Sequence, residues 1–322
     1  MALLAEAGPP VQPSTHDAPP RRPMRRALKY LVAIGGVCTV ATVGVVVGLD
    51  RLAGSGPVTE RCTAVLDGSD WYLSPEQADN AALVAGTSVA RVLPARAATI
   101  GLATALQESK LINIEHGDRD SVGLFQQRPS QGWGTVEEIL DPVYSTNAFY
   151  DVLVKVEGYE DMAVTDAAQT VQRSAYPDAY AQHEMRSRAW ASALTGNSPA
   201  SLSCELGPVP DDDQIAPDAA RDVVAGRLGR DLGLAPATGI TDPDRQDPAS
   251  ATVIVDATPL TPDDPERGAW ATAQWAVATA QATQAVEVRV AGQVWLRDGA
   301  AWSDAQPRLD PGEVHITVDA TE

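Results

Sequence analysis

Apolar and small residues recur at helical spacing through most of residues 74–196, and that spacing predicts a series of helices. The run Ser74-Pro75-Glu76-Gln77 supplies an N-cap hydroxyl, a proline at the first helical position and an amide at the third. It opens a predicted helix that runs to about Val92, ahead of Pro94. A second helix begins near Ala95 and carries "ARAATIGLATALQESKLIN". Residues 117–134 hold five glycines and prolines and read as loop and turn. A third helix starts at Asp141-Pro142. "TDAAQTVQRSA" and "PDAYAQHEMRSRAWASALTG" are further helices, the last stopped by Gly196. Beyond "GPVPDDDQIAPD" the period changes. "ATVIVDA" and "GEVHITV" read as strands and "AVEVRVAGQVWLRDGAAW" alternates like a hairpin. Two helical stretches, "DAARDVVAGRLGRDLG" and "ERGAWATAQWAVATAQATQ", lie among them.

These patterns predict an α+β multidomain chain: a mainly α-helical domain over 62–204, a linker over 205–216, and a small α+β domain over 217–322. Residues 1–26 are Pro-rich and polar and read as a disordered cytoplasmic tail. The stretch "LVAIGGVCTVATVGVVVGL" at 31–49 carries no charge and is long enough to span most of a bilayer core. A single transmembrane anchor is expected over 27–49, with a tether over 50–61. Arg21, Arg22, Arg25, Arg26 and Lys29 precede the span and orient the N-terminus to the cytoplasm, so the body is exported.

The net charge is −19 and the basic cluster sits before the anchor, which leaves the body more acidic still. Such a surface repels nucleic acid, and DNA and RNA are set aside as partners. Of three cysteines, Cys38 falls inside the span. Cys62 and Cys204 are the two in the exported body, where oxidation is permitted, and they are expected to form a disulfide. Trp270, Trp275, Trp295 and Trp302 read as core residues of the last domain rather than sugar platforms.

Glu108 is the candidate for chemistry. Its neighbours at helical spacing are Gly101, Thr104, Ala105, Leu111 and Ile112, all small or apolar. A carboxyl on such a face loses hydration, which raises its pKa and suits a general acid. The loop after it offers the neutral groups Ser121, Gln126 and Gln127, and Gly123 permits a close backbone approach. "HGDRDS" lacks the remaining positions of a calcium loop, and His116 has no zinc-ligand spacing to another histidine. No metal and no cofactor are expected.

"ALQES" at 105–109 followed by "DSVGLFQ" at 120–126 resembles the paired Glu-Ser and Ser-x-Gly-Leu-hydrophobic-Gln motifs of the lysozyme-like superfamily, specifically lytic transglycosylases and goose-type lysozymes. The resemblance covers roughly residues 65–200. It implies a helical fold with a cleft, Glu108 as the single catalytic acid/base, Ser121 and Gln126 lining the cleft, and the peptidoglycan glycan strand as substrate. One motif departs: where lytic transglycosylases carry Tyr-Asn-Ala-Gly, this chain reads Val171-Gln172-Arg173-Ser174, with Tyr176 or Tyr180 as candidates for the tyrosine's role.

Hydrolysis needs a second carboxylate, for which Glu115, Asp118, Asp120 and Asp141 are candidates. Transglycosylation can proceed with one glutamate, because the sugar's own hydroxyl attacks. The expected function is therefore a membrane-anchored enzyme cleaving peptidoglycan glycan strands. The rival is a catalytically weak or inactive lysozyme-fold module that binds cell wall or scaffolds an envelope complex, with the C-terminal domain as the surface for an envelope protein partner.

Overall fold

The capped, alanine-rich segment Pro75–Ala90 forms α1, as its sequence predicts. The Ser74 side chain accepts from the Gln77 N–H while the Gln77 side chain accepts from the Ser74 N–H. The computed structural model describes residues 60–173, 177–235, 250–299 and 301–319. The apolar run at 31–49, the tail and most of the tether lie outside these residues. Among the described residues no helix is long and apolar enough to cross a membrane.

Helix α2 spans Ala95–Ser109 and is almost wholly buried from Ala97 to Leu106. It ends earlier than its composition suggests. Lys110 and Leu111 both adopt left-handed backbone, and the Leu111 N–H turns back to the Ala105 carbonyl at 3.0 Å. Short α3 (Val136–Leu140) precedes α4 (Pro142–Leu153), for which Asp141 is the N-cap. Helix α5 (Val164–Gln172) leads to a 3-10 segment, Pro177–His183, and then to α6 (Glu184–Leu194).

Three strands frame this helical block that periodicity did not single out: β1 (Arg61–Leu66), β2 (Ser69–Leu73) and β3 (Leu202–Glu205). They form an antiparallel sheet in the order β2-β1-β3. The register places Cys62 directly opposite Cys204, and the two form the expected disulfide across a sequence separation of 142. Joining both ends of the block removes conformational freedom from the unfolded chain.

The last third comprises α7 (Pro217–Leu232), β4 (Ser250–Asp256), α8 (Pro265–Ala278), α9 (Ala280–Thr283), β5 (Ala285–Val290), β6 (Gln293–Leu296), β7 (Trp302–Asp304) and β8 (Glu313–Asp319). Its five strands pair antiparallel in the order β4-β8-β5-β6-β7. The class is α+β. Trp270, Trp275 and Trp295 are buried in the core, and Trp302 packs edge-on against Trp270 with ring centroids 5.2 Å apart.

The two halves share one continuous core from Cys62 to Val318, and the described residues belong to one compact unit. Polar clamps hold the seam. The fully buried Gln274 on α8 accepts from the backbone N–H groups of Ser201 and Leu202 at 3.0 and 2.8 Å. It also donates to the carbonyls of Ala193 and Ser198. The Trp302 indole donates to the Leu202 carbonyl, and Arg227 on α7 pairs with Asp79 on α1 at 2.6 Å. The Trp275 indole donates to the buried Asp231, which Arg230 also grips through both carboxylate oxygens.

Each buried donor left without a partner costs about 1–3 kcal/mol. Gln274→Ala strands the Ser201 and Leu202 N–H groups together, so a loss of about 2–6 kcal/mol is expected. Urea denaturation of the full chain should show residues 60–319 still unfolding in one transition, with a lower midpoint. Two separate transitions in the parent protein would contradict the shared core.

Candidate active site

Glu108 lies one residue from the end of α2, where the helix stops and the chain turns into the loop of residues 110–134. That loop is folded back against the helix by specific bonds. The Ser109 hydroxyl sits 2.7 Å from the Leu124 carbonyl. Val122 and Gln127 bridge as antiparallel partners, and the Gly123 N–H donates to the Ile114 carbonyl at 2.7 Å. Phe125 stacks on Phe149 of α4 at 4.7 Å, fixing the loop to the core. The result is a short return that brings Ser121 and Gln126 to the side of Glu108.

The carboxyl is half-buried and held by two side chains. The Tyr180 hydroxyl, itself 0% exposed, donates to Glu108 Oε1 at 2.6 Å. Gln172 at the end of α5 donates to the Phe125 carbonyl at 2.6 Å and lies near enough to the Glu108 carboxyl to favour its charged form. Burial pushes the Glu108 carboxyl above the ordinary range, and Tyr180 and Gln172 offset part of that rise. Loss of hydration wins over the two donors.

A cleft of 530 Å³ opens over this carboxyl, within the usual size range for ligand pockets. Ser121 and Gln126 line it, as the sequence predicts. So do Asp118, Arg119, Arg128, Gln131, Trp133, Gln172 and Arg173. The Ser121 hydroxyl lies 2.8 Å from the Asp118 carbonyl and 3.0 Å from Gln126 Oε1, so its single proton is shared between two acceptors. Gly117 lets the Gln126 amide lie against its Cα; a Cβ there would collide with both Gln126 and Ser121.

Three further residues that the sequence put forward for substrate binding, Gln127, Gly123 and Tyr180, lie away from the cleft surface. Gln127 is buried and donates to the Ser145 carbonyl at 3.0 Å, because its bridge to Val122 turns the side chain inward. Gly123 is also buried; its φ of 81° and the Ile139 carbonyl behind it leave no room for a side chain. Tyr180 lies beneath Glu108 as its hydrogen-bond donor and does not line the cleft.

The other acids have separate duties. Asp120 accepts from the Ser130 N–H at 2.8 Å and pairs with Arg128 at 2.7 Å. Those bonds, Ser130 foremost, hold it well below the usual carboxylate range. Asp141 caps α4. Glu115 is exposed. Of the four candidates for a second carboxylate, Asp118 alone lines the cleft, with its side chain 93% exposed. Among the described residues no group of three or more His, Cys, Asp and Glu is arranged to hold a metal ion.

No protein-family model and no curated protein matches this chain. The chemistry of the site therefore rests on its geometry. A half-buried carboxyl with a raised pKa, one tyrosine and one amide donor, and an open polar cleft can deliver a proton to a bound oxygen and take one back.

Pattern reading did not single out Gln172, Arg173, Arg119, Gln131 or Trp133. Gln172 and Arg173 did stand at the place of the missing Tyr-Asn-Ala-Gly run, and a tryptophan flanked by glycines in "QGWG" was a usable signal for Trp133.

The raised pKa fixes the sign of a stability effect. A carboxyl with a raised folded-state pKa favours folding most below its unfolded pKa of about 4.3, and that contribution is lost as pH rises through the folded value. Glu108→Gln keeps an acceptor for Tyr180 and removes the charge. It should therefore melt higher than the parent at pH 7, with the difference vanishing near pH 4. Thermal melts of both chains between pH 4 and 8 check this, and a parent more stable than the variant at pH 7 would count against it.

Proposed function

We propose that this protein cleaves the glycan strands of bacterial peptidoglycan, in the manner of a lytic transglycosylase, with Glu108 as acid and base. The observation that carries the reading is the Glu108 carboxyl, held half-buried by Tyr180 and Gln172 at the floor of a polar cleft. The resemblance of "ALQES" and "DSVGLFQ" to the lysozyme-like motifs agrees with it, and both motif segments meet at this cleft. The apolar run at 31–49, preceded by its basic cluster, adds a single-pass membrane anchor with the body outside the cytoplasm.

In this mechanism Glu108 starts protonated. It gives its proton to the glycosidic oxygen as the bond from that oxygen to the anomeric carbon breaks. The carboxylate then takes the proton of a hydroxyl on the same sugar, and that oxygen closes on the anomeric carbon to leave an anhydro end. Tyr180 and Gln172 stabilise the carboxylate between the two steps. Asp120 and Asp141 are committed to other bonds, which favours the route that needs no second carboxylate. Gln172 and Arg173 stand where the family carries Asn-Ala, and Gln172 keeps an amide beside the acid.

The full chain in detergent, incubated with peptidoglycan and its products weighed by mass spectrometry, should release anhydro-ended fragments. Glu108→Gln should lower that rate by a factor of about 10²–10⁴, the usual contribution of a general acid or base. Hydrated reducing ends would replace transglycosylation with hydrolysis and bring Asp118 forward. Intact glycan retained by both proteins would establish the rival, a cell-wall-binding module.

A further inference from the structure

Charge in the cleft runs against charge in the chain. The protein carries −19 overall, yet three arginines and one further acid, Asp118, line the cleft around Glu108. Arg128 is spent on Asp120 at 2.7 Å. Among the described residues Arg119 and Arg173 are held by no comparably short pair. The Arg119 side chain is 71% exposed, and its contact with the still more exposed Asp118 is 3.9 Å long, at the limit of an ion pair. Arg173 is exposed and has no carboxylate partner among the described residues. Exposed pairs of this kind hold side chains weakly, so a ligand can take both guanidinium groups.

Their backbone sets how the two side chains leave the chain. Arg119 and Arg173 sit at φ 59° and 53°, in the left-handed region. Arg173 is the C-cap of α5, the place where glycine is the unstrained choice. Gln126, also on the cleft, has φ 47°. Three cleft-lining side chains are thus presented from left-handed backbone, three of the ten such non-glycine residues among those described.

We propose that Arg119 and Arg173 bind a carboxylate carried by the substrate, so that the cleft selects anionic glycan over neutral glycan. The assignment rests on the glycan reading of the same cleft and names what that reading leaves open. A planar guanidinium meets a carboxylate through two parallel N–H donors, and Arg is the residue suited to that fork. An acidic body needs such a local positive site to hold an anionic polymer against its own repulsion. In peptidoglycan the carboxylate has two sources: the lactyl group of a peptide-free sugar, or the peptide attached to it.

The full chain carrying Glu108→Gln, which keeps the cleft and slows turnover, is titrated with three probes. These are peptide-free peptidoglycan oligomers with lactyl carboxylates free, the same oligomers amidated, and peptide-bearing oligomers. At least one carboxylate-bearing probe should bind about tenfold tighter than the amidated one, which is about 1.4 kcal/mol; whichever does identifies the source. Adding Arg119→Gln and Arg173→Gln should shrink the preference below about twofold.

A second variant separates recognition from structure. Arg173→Gly should raise the melting temperature while weakening the anionic probe. Unchanged binding of the anionic probe by this variant, whichever way the melting temperature moves, would leave Arg173 as a helix cap alone and overturn its role in recognition. Equal binding of all three probes would overturn the arginine assignment and leave the glycan reading standing. No binding of any probe, with no product from the parent chain, would remove the glycan reading and this assignment together.

Discussion

A carboxyl group kept partly out of water, yet open to a cleft, is the constraint on which the rest of this structure depends. Glu108 cannot hold its raised pKa on an ordinary solvated helix. It needs small, apolar neighbours along α2, which Gly101, Thr104 and Ala105 supply, and a buried donor beneath it, which Tyr180 supplies. It also needs an abrupt end to the helix. The left-handed turns at Lys110 and Leu111 provide that end and send the loop back over the carboxyl instead of away from it. Gln172 then ties α5, the loop carbonyl of Phe125 and the acid into one network.

The second half of the chain acts as a brace. Helix α8 packs against α1 and α6, and α6 packs on α2. Gln274, Trp302 and the Arg227–Asp79 pair hold the seam with directed bonds that a sliding contact would break. Rigid helices position a site more accurately than loops do. The disulfide between Cys62 and Cys204 sits at the same seam, since β3 leads into the linker and β1 begins the described unit. The change in composition at residues 205–216 marks a change in architecture, while the core continues across it.

Much of this was legible in the sequence, for reasons that differ by element. The capping box at Ser74 and the Asp141-Pro142 start are local signals, and both helices begin where those residues put them. The alternation in "AVEVRV" and "GEVHITV" marks a half-buried sheet, and both are strands. Strand β3 is four residues long and pairs with β1 across most of the block, so periodicity could not single it out, whereas β1 and β2 form a hairpin around Asp67-Gly68, a local turn signal that the reading of helices passed over. At the site, Glu108 stood out by its apolar company, and Ser121 and Gln126 by motif. Gln127 differs from Gln126 by one position, and a local bridge decides which of them faces the cleft. That bridge is a tertiary fact. Arg119 and Arg173 line the cleft from left-handed backbone, which no residue-type rule would assign to arginine.

The most direct test of the account is the titration of the Glu108 carboxyl itself, followed by carbon NMR in the full chain and assigned by its loss in Glu108→Gln. The account expects an apparent pKa above that of an ordinary glutamate, rising further in Tyr180→Phe because the hydroxyl stabilises the charged form. A pKa at or below the ordinary glutamate value, unchanged by Tyr180→Phe, would contradict a buried acid held ready to give up its proton.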